Sequence, residues 1–223
     1  MQVQILKNED VSYMDKILLS NDGLLQPVNS SELIGLPPSH LMIWGNKNGV
    51  YTYPTIELID WIKDQINGRS TIEICSGTGV IGRALKIPFT DSYIQTTPEI
   101  ILLYLASNQK PIFPAPDVHK FEANEAVDYF KPEVVVGCYV TQKYLAGDEG
   151  PPLIGSSLYG VDELQMLPKI KTYINIGNYS THKDKRIRTK YKHKVYKFPW
   201  LLTRSVIPAD NEIVVWEMSN GIT

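Results

Sequence analysis

Between Thr71 and Leu85 the chain reads TIEICSGTGVIGRAL. Gly77, Gly79 and Gly82 stand in the spacing G-x-G-x-x-G, directly after a short apolar run and directly before a helical pattern. Glycines at a strand-to-helix turn let a ligand come close to the backbone. Three readings are open. The first is a dinucleotide, whose pyrophosphate would sit at the helix N-terminus and whose ribose would need a carboxylate about 20 residues on. Glu99 has roughly that spacing from Gly79, but it follows Pro98 inside a helical pattern. The second is a cofactor with no phosphate at all, and Glu73, just upstream of the loop, suits that reading. The third is a tight turn with no ligand.

A second group of polar residues follows the apolar run EVVVGCYV. Tyr139, Thr141 and Gln142 lie just past its end, and His182 follows the later run TYINIGN. A tyrosine there can orient a substrate or accept a proton. It can equally be a core-facing aromatic, and a lone loop histidine can simply be solvated. The stretch HKDKRIRTKYKHKVYK carries eight Lys or Arg. Its Arg186, Arg188, Lys190, Lys192 and Lys194 alternate with other residues, which puts five charges on one face of a strand. Such a face suits the phosphates of a nucleic acid. It also suits an edge strand protected from pairing. Upstream, Trp44, Tyr51 and Tyr53 gather before the glycine loop and either contact a ligand or close the core.

The elements that would position these residues alternate. LIGLPPSHLMIWGNKNGVYTYPT reads as loops and short strands, because of its paired prolines and its glycines. PTIELIDWIKDQI has helical spacing, with Pro54 near its start, Thr55 as the cap and Gly68 at its end. Then STIEIC, DSYIQTT, DVHKFEA, EVVVGCYV and TYINIGN read as strands. GVIGRALK, PEIILLYLASN, NEAVDYF and VDELQMLPKI read as the helices between them. KHKVYKFP and EIVVWEMS close the chain as two strands without a crossover helix, which requires an antiparallel pair. Strands alternating with helices predict an α/β fold, doubly wound, with helices on both faces of a mostly parallel sheet. An N-terminal cap over 1–50 would precede one compact unit over 51–223.

Composition fits this. The chain has 223 residues, 43% hydrophobic and 21% charged, with a net charge of −2. That balance is ordinary for a globular protein and gives no global case for nucleic acid. Cys75 and Cys138, the only two cysteines, are too few for a disulfide framework and read as reduced and buried. MQVQILKNED has no long apolar stretch, so no signal peptide is expected. No run approaches the ~18 apolar residues of a membrane span. The expectation is a cytoplasmic protein with no membrane partner. No residue set with metal-ligand spacing stands out.

Taken together, the acid and loop EICSGTG, the element order and the two-strand ending resemble the class I (Rossmann-like) S-adenosylmethionine-dependent methyltransferases over roughly 51–219. The resemblance implies a seven-stranded sheet with an antiparallel last strand. It implies S-adenosylmethionine as the cofactor, with Glu73, Cys75, Ser76, Gly77, Thr78 and Gly79 lining its methionine end. Cys75 replaces the first glycine of that motif, and its Cβ narrows the approach. Gln95 or Thr96 would stand at the ribose, where the family has an acid, and Asn124 near the adenine, unless it caps the next helix. Tyr51 would lid the cofactor. Tyr139, with Thr141, Gln142 and His182, would face the acceptor, and Tyr139 is the candidate catalytic residue. The base-amino methylation motif is absent from GCYVTQKY. A small-molecule acceptor is favoured, with RNA or a protein side chain second. Methyl transfer to an already nucleophilic atom needs mostly alignment, so the missing catalytic dyad does not exclude it. A non-catalytic binding or assembly protein on the same fold is the alternative, and a nicotinamide oxidoreductase a third.

Overall fold

The structure is a computed structural model and describes residues 9–107, 109–144, 155–156 and 158–218. Helices α1 (Asp15–Leu18) and α2 (Pro38–Asn48) belong to the N-terminal segment. This segment has its own apolar cluster, including Met14, Leu18, Leu33, Leu41, Trp44 and Tyr53. The Trp44 indole N–H donates to Asp15 Oδ1 at 2.7 Å and ties α2 to α1. The expectation of loops and short strands here is corrected. Pro37, Pro38 and Gly49, which suggested turns, mark the ends of a helix, and Gly45 lies within it. Pro38 occupies its first turn, where no amide partner is needed, and Gly49 ends it in the left-handed conformation at φ +67°.

Helix α3 (Ile56–Ile66) starts as its sequence predicts, with Thr55 Oγ1 accepting from the Leu58 amide at 3.2 Å. Seven strands and six further helices follow: β1 (Thr71–Ile74), α4 (Val80–Leu85), β2 (Thr90–Asp91), α5 (Pro98–Ala106), β3 (His119–Lys120), α6 (Ala123–Phe130), β4 (Val134–Cys138), α7 (Glu163–Met166), β5 (Thr172–Asn178), α8 (Tyr179–His182), α9 (Arg186–Lys190), β6 (Lys194–Tyr196) and β7 (Asn211–Glu217).

Five strands form one sheet in the order β1-β4-β5-β7-β6. β1, β4 and β5 are parallel, while β7 runs antiparallel to both β5 and β6. β2 and β3 form a separate two-stranded parallel sheet. The single seven-stranded sheet expected from sequence is therefore corrected to five strands plus two. The smaller sheet lies against the β1 edge through short contacts only. The Glu73 amide donates to Pro88 O at 2.9 Å, and the Ser76 amide to Thr90 O at 3.0 Å.

Both faces of the larger sheet are covered. One carries Ile72, Ile74, Val135, Tyr173 and Trp216 against α6 and α7. The other carries Val134, Val136, Ile174, Ile176 and Val215 against α3 and α4. This two-sided burial is why VVV in β4 is continuous rather than alternating. Each fully buried valine or isoleucine contributes about 1.5–3 kcal/mol.

The predicted basic strand is not one strand. Arg186 to Lys190 is helix α9, and the chain becomes extended again at Lys194. Ile187 is buried here, which turns the segment onto the core. The five charges do not share a face. Arg188 is bound to Glu212 and lies over the Tyr179 ring.

Candidate functional site

The strands β1, β2, β3 and β4 deliver their carboxyl ends to one cleft, which encloses about 1090 Å³ counting its open mouth. Crevices beyond the carboxyl ends of such strands are where α/β folds place ligands. β1 and β4 both end on a non-glycine residue in the left-handed region, Cys75 at φ +51° and Tyr139 at φ +51°. A left-handed residue with a side chain costs about 1–2 kcal/mol. Strain of this kind concentrates where a site needs a particular backbone path. The conformation turns the Cys75 side chain onto the apolar cluster of Ile72 and Ile74. Burial pushes its thiol above the ordinary cysteine range.

The glycine loop is tied internally. Its Ser76, Gly77 and Gly79 amides donate to Thr90 O, to Asp91 Oδ2 and to Ser76 O, at 3.0, 3.0 and 2.9 Å. Gly79 and Gly82 serve packing rather than a ligand. A Cβ on Gly79 would lie 2.8 Å from the Phe89 ring, and one on Gly82 2.4 Å from Phe89 Cβ. Glu73 is buried, and its Oε2 accepts the Gly82 amide at 2.8 Å. Burial, with a smaller contribution from Asp91, pushes its pKa up to about 8 against the pull of that amide.

A stability consequence follows from Glu73. Its ordinary value is 4.5, so the folded protein holds a proton that the unfolded chain releases between pH 4.5 and 8. Stability is therefore highest below that window and falls as pH rises through it. Glu73→Gln keeps an acceptor for Gly82 and removes the titration. The melting temperature of the wild type is expected to fall by at least about 3 °C more between pH 5 and 8 than that of Glu73→Gln. Parallel thermal melts check this, and equal slopes would show that Glu73 is ionised in the fold.

Asp91, at the end of β2, is the residue the sequence reading missed. Its Oδ2 takes the Gly77 amide at 3.0 Å and its Oδ1 the Tyr93 amide at 2.9 Å. It lines the cleft. Burial holds its carboxyl above its ordinary value despite these two donors. The expected strand DSYIQTT stops almost where it starts. Ile94 to Thr96 forms a 3-10 turn instead. Gln95 lines the cleft with its Oε1 accepting the Ile112 amide at 2.8 Å, while the Thr96 hydroxyl donates back to Tyr93 O. The strand-end acid that seemed to be missing is Asp91, four positions before Gln95.

After β3 the lining residues are Phe121, Glu122 and Ala123. Asn124 is not among them. Its Nδ2 donates to Asp162 O at 3.2 Å and links α6 to the start of α7. Glu122, not Asn124, caps α6, in a reciprocal arrangement with Glu125.

The other part of the cleft is walled by tyrosines. Tyr51 and Tyr104 share a hydroxyl–hydroxyl hydrogen bond at 3.0 Å. The Tyr51 ring lies 5.4 Å from that of Tyr139, and the Arg204 guanidinium stacks 3.5 Å from the Tyr51 centroid. Tyr159 and Thr141 complete this wall. Tyr104 and Tyr159 join the wall only through tertiary contacts. Burial pushes Tyr139 up to about 12, so its phenol stays protonated at neutral pH and acts as a donor rather than a base.

Two predicted acceptor-site residues lie elsewhere. Gln142 is buried off the cleft, where its Oε1 accepts the Arg186 amide at 2.7 Å. His182 is buried behind Tyr139, with the rings 5.2 Å apart, and Gly177 leaves it the space. Burial, then the Lys185 charge, pulls its pKa down to about 3, which keeps it neutral. Among the described residues no group of three or more His, Cys, Asp or Glu is placed to hold a metal.

No family model matches the chain, and no curated protein matches it. Solved structures do. An uncharacterized protein from Listeria monocytogenes serotype 4b is similar over 75% of this chain and 69% of its own, at 8% identity and a TM-score of 0.37. A SAM-dependent methyltransferase from Agrobacterium tumefaciens is similar over 73% of this chain and 61% of its own, at 11% identity and a TM-score of 0.34. A protein from Thermoplasma acidophilum is similar over 81% of this chain and 95% of its own, at 14% identity and a TM-score of 0.33. Likeness at this level assigns neither a ligand nor an activity.

Proposed function

We propose that this protein binds S-adenosylmethionine in the cleft and transfers its methyl group to an acceptor held among the tyrosines. The observation that carries the reading is Asp91. A half-buried carboxylate sits on the glycine loop itself and takes one of its amides. A pyrophosphate needs free amides and no adjacent negative charge. This loop has its Ser76, Gly77 and Gly79 amides occupied and the Asp91 carboxylate beside it. A phosphate-free adenosyl cofactor meets neither obstacle.

The residues present fit that group. Each Asp91 oxygen accepts one backbone donor and keeps lone pairs for the ribose hydroxyls. Phe121 offers a flat apolar surface to the adenine. The Ser76 hydroxyl is buried beside the cleft without a partner, a polar atom that a ligand amine or carboxylate would satisfy. The cofactor supplies an electrophilic methyl on a sulfonium. The chain supplies alignment and exclusion of water: Tyr51, Tyr104, Tyr139 and Tyr159 enclose the place where an acceptor would lie. Burial holds Tyr104, Tyr139 and Tyr159 above the ordinary tyrosine value, so none of these three is a base at neutral pH and the acceptor brings its own lone pair.

Filter retention of methyl-labelled S-adenosylmethionine tests the reading. Displacement by S-adenosylhomocysteine and not by NAD is expected. Displacement by NAD alone would sink it.

A further inference from the structure

Helix α5 is apolar on nearly every side. After Glu99 the chain carries no charge until Lys110. Of the helix, only Ile100 is buried, and Leu102, Leu103 and Leu105 are 67%, 48% and 61% exposed. An ordinary surface helix turns its apolar stripe inward and its polar face outward. This one does neither, yet it is held in place, because Tyr104 from the same helix reaches the cleft and bonds Tyr51.

Two more exposed apolar side chains flank the same mouth. Phe113 is 56% exposed and follows cleft-lining Ile112; Leu158 is 63% exposed and precedes cleft-lining Tyr159. An apolar rim of this kind marks an interaction site rather than ordinary surface. Its border carries cations. The Lys110 amide donates to Asn46 O at 3.3 Å, which brings exposed Lys110 and exposed Lys47 to one edge, at the end of α5. Behind the rim the tyrosine wall carries no carboxylate, and its charge is the Arg204 guanidinium stacked on Tyr51. The carboxylates that line the cleft, Glu73, Asp91 and Glu122, belong to the β1, β2 and β3 ends.

We propose that the cleft takes its acceptor from a lipid surface, with α5, Phe113 and Leu158 seated among the acyl chains and Lys47 and Lys110 at the headgroup phosphates. The acceptor is then an amphiphile whose polar head enters between the tyrosines while its apolar body stays over α5. Calling it an acceptor rests on the methyl-transfer reading; the seating on lipid does not. An apolar rim bordered by cations is the arrangement that lies in a bilayer interface. A second copy of the chain would bury the rim but leave the cleft mouth blocked.

Co-sedimentation with mixed phosphatidylcholine–phosphatidylserine vesicles tests the proposal. The wild type is expected to pellet with the vesicles. The double variant Leu102→Glu, Leu105→Glu is expected to bind at least about tenfold more weakly. Both substitutions are on exposed positions, so its melting temperature should match the wild type. S-adenosylhomocysteine titration of both proteins separates the two ideas. Loss of vesicle binding with unchanged cofactor affinity supports the lipid proposal. Vesicle binding without any S-adenosylhomocysteine binding sinks the cofactor reading alone. A wild type that stays in the supernatant overturns the lipid proposal. So does a wild-type dimer, seen by sedimentation equilibrium, that the double variant converts to a monomer.

Discussion

Replacing Asp91 by alanine is expected to weaken S-adenosylhomocysteine binding at least about a hundredfold. Hydrogen bonds to a charged group are each worth about 1.5–3 kcal/mol, and a hundredfold is about 2.8 kcal/mol. Two such bonds to a ribose would account for the loss. The same substitution orphans the Gly77 and Tyr93 amides that the carboxylate now takes. The loop would then shift, and part of the loss would come from that. Asp91→Asn separates the two contributions. Its carbonyl oxygen still accepts one amide, but its NH2 group donates where the ribose also donates. The asparagine variant, which orphans one amide instead of two, is therefore expected to melt above the alanine variant and still bind at least about tenfold more weakly than the wild type. Calorimetry on both variants checks this. Asparagine binding within about twofold of wild type would remove Asp91 from the cofactor site.

The largest stability effect is expected at Lys185. This lysine is fully buried, with its Nζ 2.6 Å from Glu163 Oε1, and the Tyr173 hydroxyl donates to the same oxygen at 2.8 Å. Glu163 is buried too, and its second oxygen has no partner. Removing one partner of a buried ion pair leaves an uncompensated charge and costs about 3–5 kcal/mol. Lys185→Met is expected to lower the melting temperature by roughly 6–20 °C. Replacing the whole pair is a different matter, because desolvation of both ions then disappears as well. The double variant Lys185→Met, Glu163→Leu should recover most of the loss. A single variant that melts within about 2 °C of the wild type would mean that the pair is hydrated rather than buried. The pair joins the start of α7 to the turn before α9. Its loss is expected to act on stability and to leave S-adenosylhomocysteine affinity at low temperature within about threefold.

How much of this was legible in the sequence varies by element. The central strands of the larger sheet were, because two-sided burial writes itself as an unbroken apolar run in Val134–Val136 and as a run broken only by Asn175 in Tyr173–Ile176. Helix α3 was, because Thr55 caps it and Leu58, Ile59 and Ile62 share its buried side. Helix α2 was hidden by Gly45 in its interior. That glycine is there for packing: a Cβ would lie 2.7 Å from Val50 O and 2.8 Å from Arg204 Cβ. β2 has two residues, too few for any period, and only its pairing with β3 and its backbone contacts with the β1 end define it. Reading the strand a few residues too long moved its end from Asp91 to Gln95 and Thr96, and so passed over the acid at the true strand end. The alternating charges of the basic segment suggested a strand, and nothing in that pattern sets Lys185 apart. It is the buried member of an ion pair. The glycine loop was found, but the tyrosine wall was only half found. Tyr51 and Tyr139 stood near recognisable motifs, whereas Tyr104 reaches Tyr51 across 53 positions of sequence. Contacts at that separation are set by tertiary packing, and no local pattern marks them.

Calorimetric titration of the purified wild type with S-adenosylmethionine and S-adenosylhomocysteine, with NAD and NADP as phosphate-bearing controls, tests the central claim most directly. One-to-one binding of the adenosyl pair, and no heat from the two dinucleotides, is the predicted result. Binding of NAD or NADP in place of that pair, or no binding of the pair at all, would contradict it.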